Sequence, residues 1–203
     1  MVLTQQKTLQ RGRPKKIDPN LTLEIATQAY WSKGIDQMSI NEICRLANAS
    51  KPSVYREFGS EDGLLAAVLA KYQRQTLDNL AEIFCNGDPF DLALGNFIDF
   101  LIPVKPPSHV SKGCLYSKCI GSYRSLGVKS AAQLSEITLS IKALFVQWFE
   151  TAKKNGELQT TYTANELAEY SKSMLIASMN HLAKNEDRAE TRRFLEMGLS
   201  IFR

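Results

Sequence analysis

The sequence has little of what catalysis and metal binding usually require. It contains two histidines and shows no glycine-rich phosphate loop, no paired metal-binding carboxylates and no nucleophile–base signature. Its four cysteines are dispersed, and none forms a C-x-x-C pair: Cys44, Cys85, Cys114 and Cys119. Because zinc sites need a recurrent spacing of cysteine and histidine, we expect no metal site and no cofactor. We also expect a protein that is not an enzyme.

Long apolar runs are missing as well. No stretch approaches the roughly 18 consecutive apolar residues of a membrane-spanning helix. The first residues, MVLTQQK, lack the apolar core of a secretory signal. We therefore expect a cytoplasmic protein that makes no contact with a membrane and keeps its thiols free. A chain of 203 residues, 44% of them hydrophobic, is long enough to bury a large core.

Positive charge is concentrated in the first third of the chain. Residues 1–60 hold nine Lys or Arg and five Asp or Glu, and this difference of +4 equals the whole formal net charge. The remainder is balanced, with sixteen residues of each sign. A basic head on a neutral body is typical of proteins that bind polyanions. The alternative is a solvated charge run that binds nothing.

Residues 1–17 form a polar, basic arm without apolar periodicity. Arg11, Arg13, Lys15 and Lys16 occur there with Lys7 and no acidic partner before residue 18. Such a segment is expected to be disordered on its own. Its arginines suit the narrow minor groove of DNA, where negative potential is concentrated. A merely solubilising tail is the alternative.

Residues 39–58 have the pattern of two short helices joined by a tight turn. Ser39 and Glu42 form a capping box, which predicts the start of the first helix. Ser50 is a good N-cap for the second, and Pro52 in its first turn costs no hydrogen bond. Two helices joined in this way predict a helix-turn-helix, whose second helix can enter the major groove.

Helical periodicity continues through the rest of the chain. Asp18 and Gly34 bound a first helix before the helix-turn-helix. Caps, glycines and prolines divide the remainder into helices at about 60–84, 90–102, 114–126, 130–155, 163–184 and 187–202. No segment shows the alternation of a strand. The sequence therefore predicts an all-α fold of about nine helices.

Several residues of the first third occur together in a recognisable combination: Arg11-Gly-Arg-Pro14, Gly34, Ser39, Ile43, Leu46-Ala47, Ser50, Val54-Tyr55, Phe58, Ser60 and Leu64. This combination, over about residues 11–70, resembles the tetracycline-repressor (TetR) family of bacterial regulators. Two positions depart from the pattern. Asn48 replaces the usual turn glycine, and asparagine tolerates the left-handed conformation required there. Glu61 stands where a phosphate-contacting lysine is usual.

The resemblance implies a homodimeric repressor that binds a pseudo-palindromic double-stranded DNA operator and is released by a small-molecule effector. We expect three parts: the arm at 1–17, a DNA-binding domain at 18–62, and a ligand-binding and dimerisation domain at 63–203. The last two helices would form the dimer interface. The effector is expected to be apolar or aromatic.

The second helix of the motif supplies the side chains expected to read DNA. Lys51 suits the acceptors of guanine, whereas Pro52 or the methylene of Ser53 suits a thymine methyl group. Ser39, Ser50 and Lys33 are expected at phosphates. Tyr55 is either a packing residue or a phosphate contact, and the family pattern favours the contact. The full set of candidate DNA contacts is Arg11, Arg13, Lys15, Lys16, Lys33, Ser39, Ser50, Lys51, Pro52, Ser53, Tyr55 and Arg56.

The body offers candidates for a ligand site and for a dimer interface. The candidate ligand contacts are aromatic, aliphatic or sulfur-containing: Phe97, Phe100, Leu101, Cys114, Tyr116, Tyr123, Trp148 and Met174. For each of them, ordinary core packing is the alternative. The candidate interface residues repeat along the last two helices: Leu167, Tyr170, Met174, Ala177, Phe194, Leu195 and Leu199.

Two other functions are compatible with the same residues. Cys114 stands at a helix start, where the helix dipole lowers the pKa of a thiol, so a repressor that senses electrophiles or oxidants is one alternative. The other is an architectural protein that binds DNA without sequence preference through its basic arm.

Overall fold

The computed structural model describes residues 17–103, 113–184 and 187–202, which contain nine α-helices and no strand. Three helices form the N-terminal head: α1 (Pro19–Lys33), α2 (Ile40–Leu46) and α3 (Lys51–Phe58). Six follow: α4 (Glu61–Cys85), α5 (Phe90–Leu101), α6 (Leu115–Gly121), α7 (Val128–Lys154), α8 (Ala164–Ala183) and α9 (Arg188–Leu199). Short 3₁₀ turns lie at Ile35–Gln37, Tyr123–Ser125 and Ser200–Phe202. The all-α prediction is confirmed.

Local side-chain caps start the helices of the head. The Asp18 carboxylate accepts the backbone N–H groups of Asn20 and Leu21 at 3.0 and 3.1 Å. The predicted capping box is formed, because Ser39 and Glu42 each accept a backbone N–H of the other. These bonds satisfy donors that the first helical turn leaves without partners. The two helices of the motif therefore begin where the sequence predicts.

The turn between α2 and α3 depends on Asn48. Its φ of +48° is the one positive value among the non-glycine residues that the structure describes. Gly63, in the first turn of α4, allows α3 to end against α4, since a Cβ atom there would lie 1.9 Å from the carbonyl oxygen of Phe58. The turn fixes α3 relative to α2, and the glycine fixes it relative to α4.

Asp62, in the first turn of α4, joins the beginning of the body to the start of α7. Its carboxylate accepts the backbone N–H groups of Lys129 (2.8 Å) and Ser130 (3.0 Å), and also the Ser130 hydroxyl. These are free donors at the start of α7, which has no side-chain cap of its own. Gly127 leaves room for this contact, because a Cβ atom there would lie 2.3 Å from Asp62 Cγ. The starts of α4 and α7 are thus held together.

Aromatic rings fill the core between α4, α5 and α7. Trp148 stacks on Phe84 with 4.3 Å between ring centroids and on Phe90 with 4.7 Å. Phe97 meets Phe145 edge to face at 5.4 Å. These pairs adopt the stacked and edge-to-face geometries that aromatic side chains prefer. The rings therefore pack mainly against one another.

The spacing of apolar residues predicts Leu21 on the apolar side of α1 and Leu46 in the core, but both leucines are exposed. Leu21 is 53% exposed because α1 turns Thr22, Ala26 and Tyr30 inward, and Leu21 lies outside that row. Leu46, expected in the core, is 45% exposed because α2 ends there, beyond its buried residues. Both predictions were wrong.

The helix predicted at 114–126 is also shorter than expected. It ends at Gly121, and the chain continues as a 3₁₀ turn at Tyr123–Ser125. Ser122, at the break, donates a hydrogen bond from its hydroxyl to the Asp36 carboxylate in the head. Because this partner lies 86 residues away in sequence, local patterns did not reveal the break.

No helix in the described part of the chain is both long enough and apolar enough to cross a membrane.

Candidate nucleic-acid interface and ligand cavity

The outer face of α3 is basic. Lys51, Pro52 and Arg56 are exposed on it, and Tyr55 is half-buried against the core of the head. The Lys51 ammonium lies 5.4 Å from the centre of the Tyr55 ring, a cation–π distance that helps to hold the lysine over this face. The structure thus brings together four of the candidate DNA contacts on one helix.

Ser53 does not belong to that face. It is 4% exposed, and its hydroxyl lies 2.8 Å from the hydroxyl of Ser50. Ser50 is exposed and caps α3 by accepting the Ser53 backbone N–H at 3.3 Å. The prediction of a base contact for Ser53 is therefore incompatible with its place in the structure, because this side chain faces inward beside the cap.

Carboxylates surround the start of α2, where a phosphate contact was expected. Ser39 is exposed, and its hydroxyl is already bonded to Glu42. Lys33 is exposed and lies 3.7 Å from the same carboxylate. Glu61 accepts the backbone N–H of Ile40 at 3.1 Å. Glu61 thus serves as a second cap on α2, a role that the sequence did not reveal because the two residues are 21 positions apart.

The four candidate contacts in the basic arm, Arg11, Arg13, Lys15 and Lys16, lie outside the described residues.

A cavity of about 600 Å³ lies between the end of α1 and helices α4 to α9. Four of the predicted ligand contacts line it: Phe100, Leu101, Cys114 and Tyr116. Its walls also include several residues that were not predicted: Trp31, Tyr72, Leu80, Leu175 and Leu182. They come from different helices, and only the folded chain brings them together. The volume and the mainly apolar wall suit a drug-sized molecule.

The other four predicted ligand contacts lie away from this cavity. Phe97 and Trp148 belong to the aromatic core, where they are 1% and 5% exposed. Tyr123 is 54% exposed on the 3₁₀ turn. Met174 packs on α9, since a Cβ atom at Gly198 would lie 2.2 Å from its terminal carbon. The structure therefore contradicts their assignment to this site.

Cys114 lines the cavity as a thiol and not as an activated thiolate. Burial raises its pKa, and this effect outweighs the hydrogen bonds from Ser117 and Tyr72 that lower it. Its sulfur caps α6 by accepting the Ser117 backbone N–H at 3.3 Å. The expected lowering of the thiol pKa at the helix start is therefore wrong, because desolvation dominates. Sensing through this cysteine is not favoured.

The predicted interface residues separate into two groups. Leu167, Leu195 and Leu199 are 2%, 0% and 1% exposed, so they belong to the core of a single chain and were wrongly assigned. The half-buried residues of the set are Tyr170, Met174, Ala177 and Phe194. Tyr170 is also tied within the chain, since its hydroxyl donates to the Gly198 carbonyl at 2.8 Å.

An apolar face remains on the outside of α9 and the turn after it. Met197 is 69% exposed and Ile201 is 52% exposed, and with Phe194 they follow one another at helical spacing. The Phe194 ring stacks on His181 of α8 with 4.8 Å between centroids. We call the surface of Ala177, His181, Phe194, Met197 and Ile201 the α8–α9 face. The sequence predicted Phe194, Leu195 and Leu199 for the interface, and of these only Phe194 belongs to this face.

The head and the start of α4 match a known family of proteins. Residues 23–68 match the family model described as bacterial regulatory proteins, tetR family. The chain is 26% identical over 174 residues to the HTH-type transcriptional repressor ComR of Escherichia coli strain K12, covering 82% of this chain and 80% of that protein. It is 30% identical over 88 residues to the HTH-type transcriptional repressor BdcR of the same strain, covering 43% and 45% of the two chains.

Solved structures share the whole architecture. The reduced form of E. coli NemR superposes with a TM-score of 0.78 at 18% identity, covering 91% of this chain and 94% of that chain. A cysteine mutant of the TetR family transcriptional regulator CifR, complexed with a 26 bp double-stranded operator DNA, superposes with a TM-score of 0.80 at 19% identity. This match covers 95% of this chain and 100% of that chain. At such identities the likeness concerns the fold.

Proposed function

Because the chain belongs to the tetR family of bacterial regulatory proteins, we propose that it is a DNA-binding transcriptional repressor that responds to a small molecule. The observation that carries this proposal is the exposed basic face of α3 on a helix-turn-helix, joined through α4 to a body with a cavity. The protein acts by binding and catalyses no reaction. It works in the cytoplasm, where it reaches chromosomal DNA.

On the operator, α3 occupies the major groove. Lys51 takes the guanine acceptors and Pro52 a thymine methyl group, and these contacts supply the sequence preference. Arg56, Tyr55 and Ser50 lie on or beside the same face and bind phosphates, which supply most of the affinity but little of the specificity. The cations of the arm add minor-groove and phosphate contacts.

A homodimer is required because one short helix reads only a few base pairs. Two heads related by a two-fold axis read two half-sites of a pseudo-palindrome, and each then contributes to specificity. The α8–α9 face is the proposed interface between the two chains, since it carries two exposed apolar side chains, Met197 and Ile201, that a second copy would cover.

The effector is a small apolar or aromatic molecule that enters the cavity. It weakens DNA binding only to the extent that it prefers the state that does not bind DNA. Phe100, Leu101 and Tyr116 supply apolar contacts to it. Cys114 contributes to the wall without reacting.

Selection from a randomised duplex library, followed by footprinting, tests the proposal. The expected result is one enriched pseudo-palindrome, protected over two half-sites, with affinity that falls steeply as salt rises. A footprint that spreads along any DNA would indicate an architectural protein instead. The absence of DNA binding even at low salt would exclude both functions.

A further inference from the structure

The wall of the cavity includes one side chain from the DNA-binding head. Of the lining residues that the structure describes, Trp31 at the end of α1 is the one that belongs to α1, α2 or α3. Its ring meets the ring of Tyr72 edge to face, with 5.6 Å between centroids. Tyr72 lies on α4 and lines the cavity as well. A molecule in this space therefore lies within reach of both the head and the body.

Trp31 is also bonded to Gly113, which precedes α6, and to Lys118 within that helix. Its indole Nε1–H donates to the carbonyl oxygen of Gly113 at 2.9 Å. Its own carbonyl oxygen accepts a hydrogen bond from the Lys118 ammonium. The two bonds join residues that are separated by 82 and 87 positions in the sequence, and they cross the border between the head and the body. The indole bond is the one that lies beside the cavity.

The partner of this bond, Gly113, is packed closely against α8. Gly113 has a φ of +78°, which disfavours other residues. A Cβ atom there would lie 2.9 Å from the Met179 carbonyl oxygen and 3.2 Å from Ala183 Cβ, so the backbone is pressed against α8. Because this packing hinders the Gly113 carbonyl from following a displaced indole, we expect the hydrogen bond to break when the indole moves.

Within the head, the end of α1 is joined to α2, the first helix of the helix-turn-helix. Tyr30, next to the tryptophan, is 2% exposed in the core of the head. Lys33, one half-turn further, pairs with Glu42 of α2. A displacement of the tryptophan therefore moves packed elements of the head and not a loose terminus, since closely packed interiors transmit strain.

We propose that Trp31 is the residue through which an occupant of the cavity changes the DNA affinity of the head. This inference rests on the proposed function. An aromatic occupant that packs against Tyr72 competes for the place of the indole, and it binds best when the bond to Gly113 is broken. Linkage then requires DNA binding to fall by the same factor by which DNA weakens the occupant.

The test compares Trp31→Phe with Trp148→Phe, using the enriched duplex as operator and N-phenyl-1-naphthylamine as a neutral aromatic probe. Phenylalanine at position 31 keeps a ring but loses the N–H group. Trp148→Phe is the control, because Trp148 lies in the aromatic core away from the cavity lining, and its loss leaves Trp31 as the sole tryptophan. Probe binding is measured by its fluorescence, and operator binding by anisotropy at fixed salt.

We expect the probe to raise the operator Kd of the wild type and of Trp148→Phe by about fivefold or more, the usual lower range for coupled sites. Trp31→Phe should still bind the probe, with its operator Kd then changing by less than about twofold. In Trp148→Phe the emission of Trp31 should shift when the probe binds. That second readout does not depend on how well Trp31→Phe folds.

An undiminished response to the probe in Trp31→Phe would overturn the inference and leave the repressor function intact. The inference would also be overturned if the emission of Trp31 in Trp148→Phe did not change on addition of the probe, or if the wild type did not bind the probe. If the proposed function fails instead, no protein binds the operator even without the probe, although the emission of Trp31 still reports probe binding.

Discussion

At the scale of single residues, Glu61 is the position that we expect to oppose DNA binding. Its carboxylate caps α2 and stands close to where the resemblance places a phosphate-binding lysine. We expect Glu61→Gln to lower the operator Kd, because the amide oxygen still accepts the Ile40 N–H while the negative charge is removed. Glu61→Lys should in addition steepen the salt dependence, by up to about one unit in the slope of log K against log salt.

The measurement is a salt titration of operator binding by anisotropy. Glu82→Gln is the matched control, since Glu82 is exposed far along α4 and has no partner among the described residues. If Glu61→Gln bound no better than the control, its charge would lie too far from the phosphates to matter.

Residues that act on their own neighbourhood could be predicted, and residues that act at a distance could not. The caps at Asp18, Ser39 and Ser50 involve backbone groups two or three positions away, so the sequence carries the whole signal. Ser53 has the chemistry of a DNA contact, but its direction depends on how α3 packs. Trp31 has the spacing of a residue on the apolar side of α1, and nothing near it in sequence indicates the cavity.

At the scale of elements, the contact between α4 and α7 holds the start of α4, which directly follows the head, against the body. Burial of Asp62 disfavours its charge, but the Ser130 hydroxyl and the N–H groups of Lys129 and Ser130 outweigh this effect and hold its pKa below the usual value. The ionised carboxylate therefore stabilises the folded state. This contribution is present above the unfolded pKa of about 4 and is lost as the pH falls through the lower folded pKa.

We expect Asp62→Ala to lower the free energy of unfolding at pH 7 by about 1 kcal/mol, the typical cost of losing a helix cap. Denaturant unfolding at fixed protein concentration measures it, with Glu82→Ala as the control on the same helix. The difference between the wild type and Asp62→Ala should shrink as the pH is lowered below about 4. A difference that stays constant down to pH 2 would mean that the charge of Asp62 is not what holds α7.

Most of the helices were predictable because they carry their own periodicity and end signals, as the T-x-x-E box at the start of α8 illustrates. It was harder to predict which side of each helix is buried within the chain. Leu195 and Leu199 look like interface residues in sequence, but α8 buries them within one chain. Only the packing of α8 against α9 decides which apolar residues remain outside.

At the scale of the whole molecule, the uneven charge assigns a role to the arm. Residues 1–16 carry five cations and no acid. Deleting them should weaken operator binding strongly and flatten the salt slope, by up to about 0.9 for each phosphate contact that is lost. A deletion of residues 1–10 removes only one of these cations, Lys7, and is the control. A shortened protein that keeps the full slope would assign the affinity to the head alone.

The association of two chains is the property on which sequence-specific binding depends most. The α8–α9 face presents Met197 and Ile201 to solvent beside Phe194, and a dimer would cover them. We expect Met197→Glu to yield monomers, because each chain would bury an unpaired glutamate in the interface. Leu139→Glu is the control, since Leu139 is 68% exposed on α7, a fraction close to the 69% of Met197.

Sedimentation of the two variants measures their association, and anisotropy measures their binding to the full palindrome and to one half-site. The monomer should bind the half-site like the wild type, since its head is unchanged, but should lose the added affinity of the second half-site. Leu139→Glu should remain a dimer with full operator affinity. A Met197→Glu protein that stays dimeric would show that the chains associate through another surface, and the geometry of the two heads would then have to be derived from that surface.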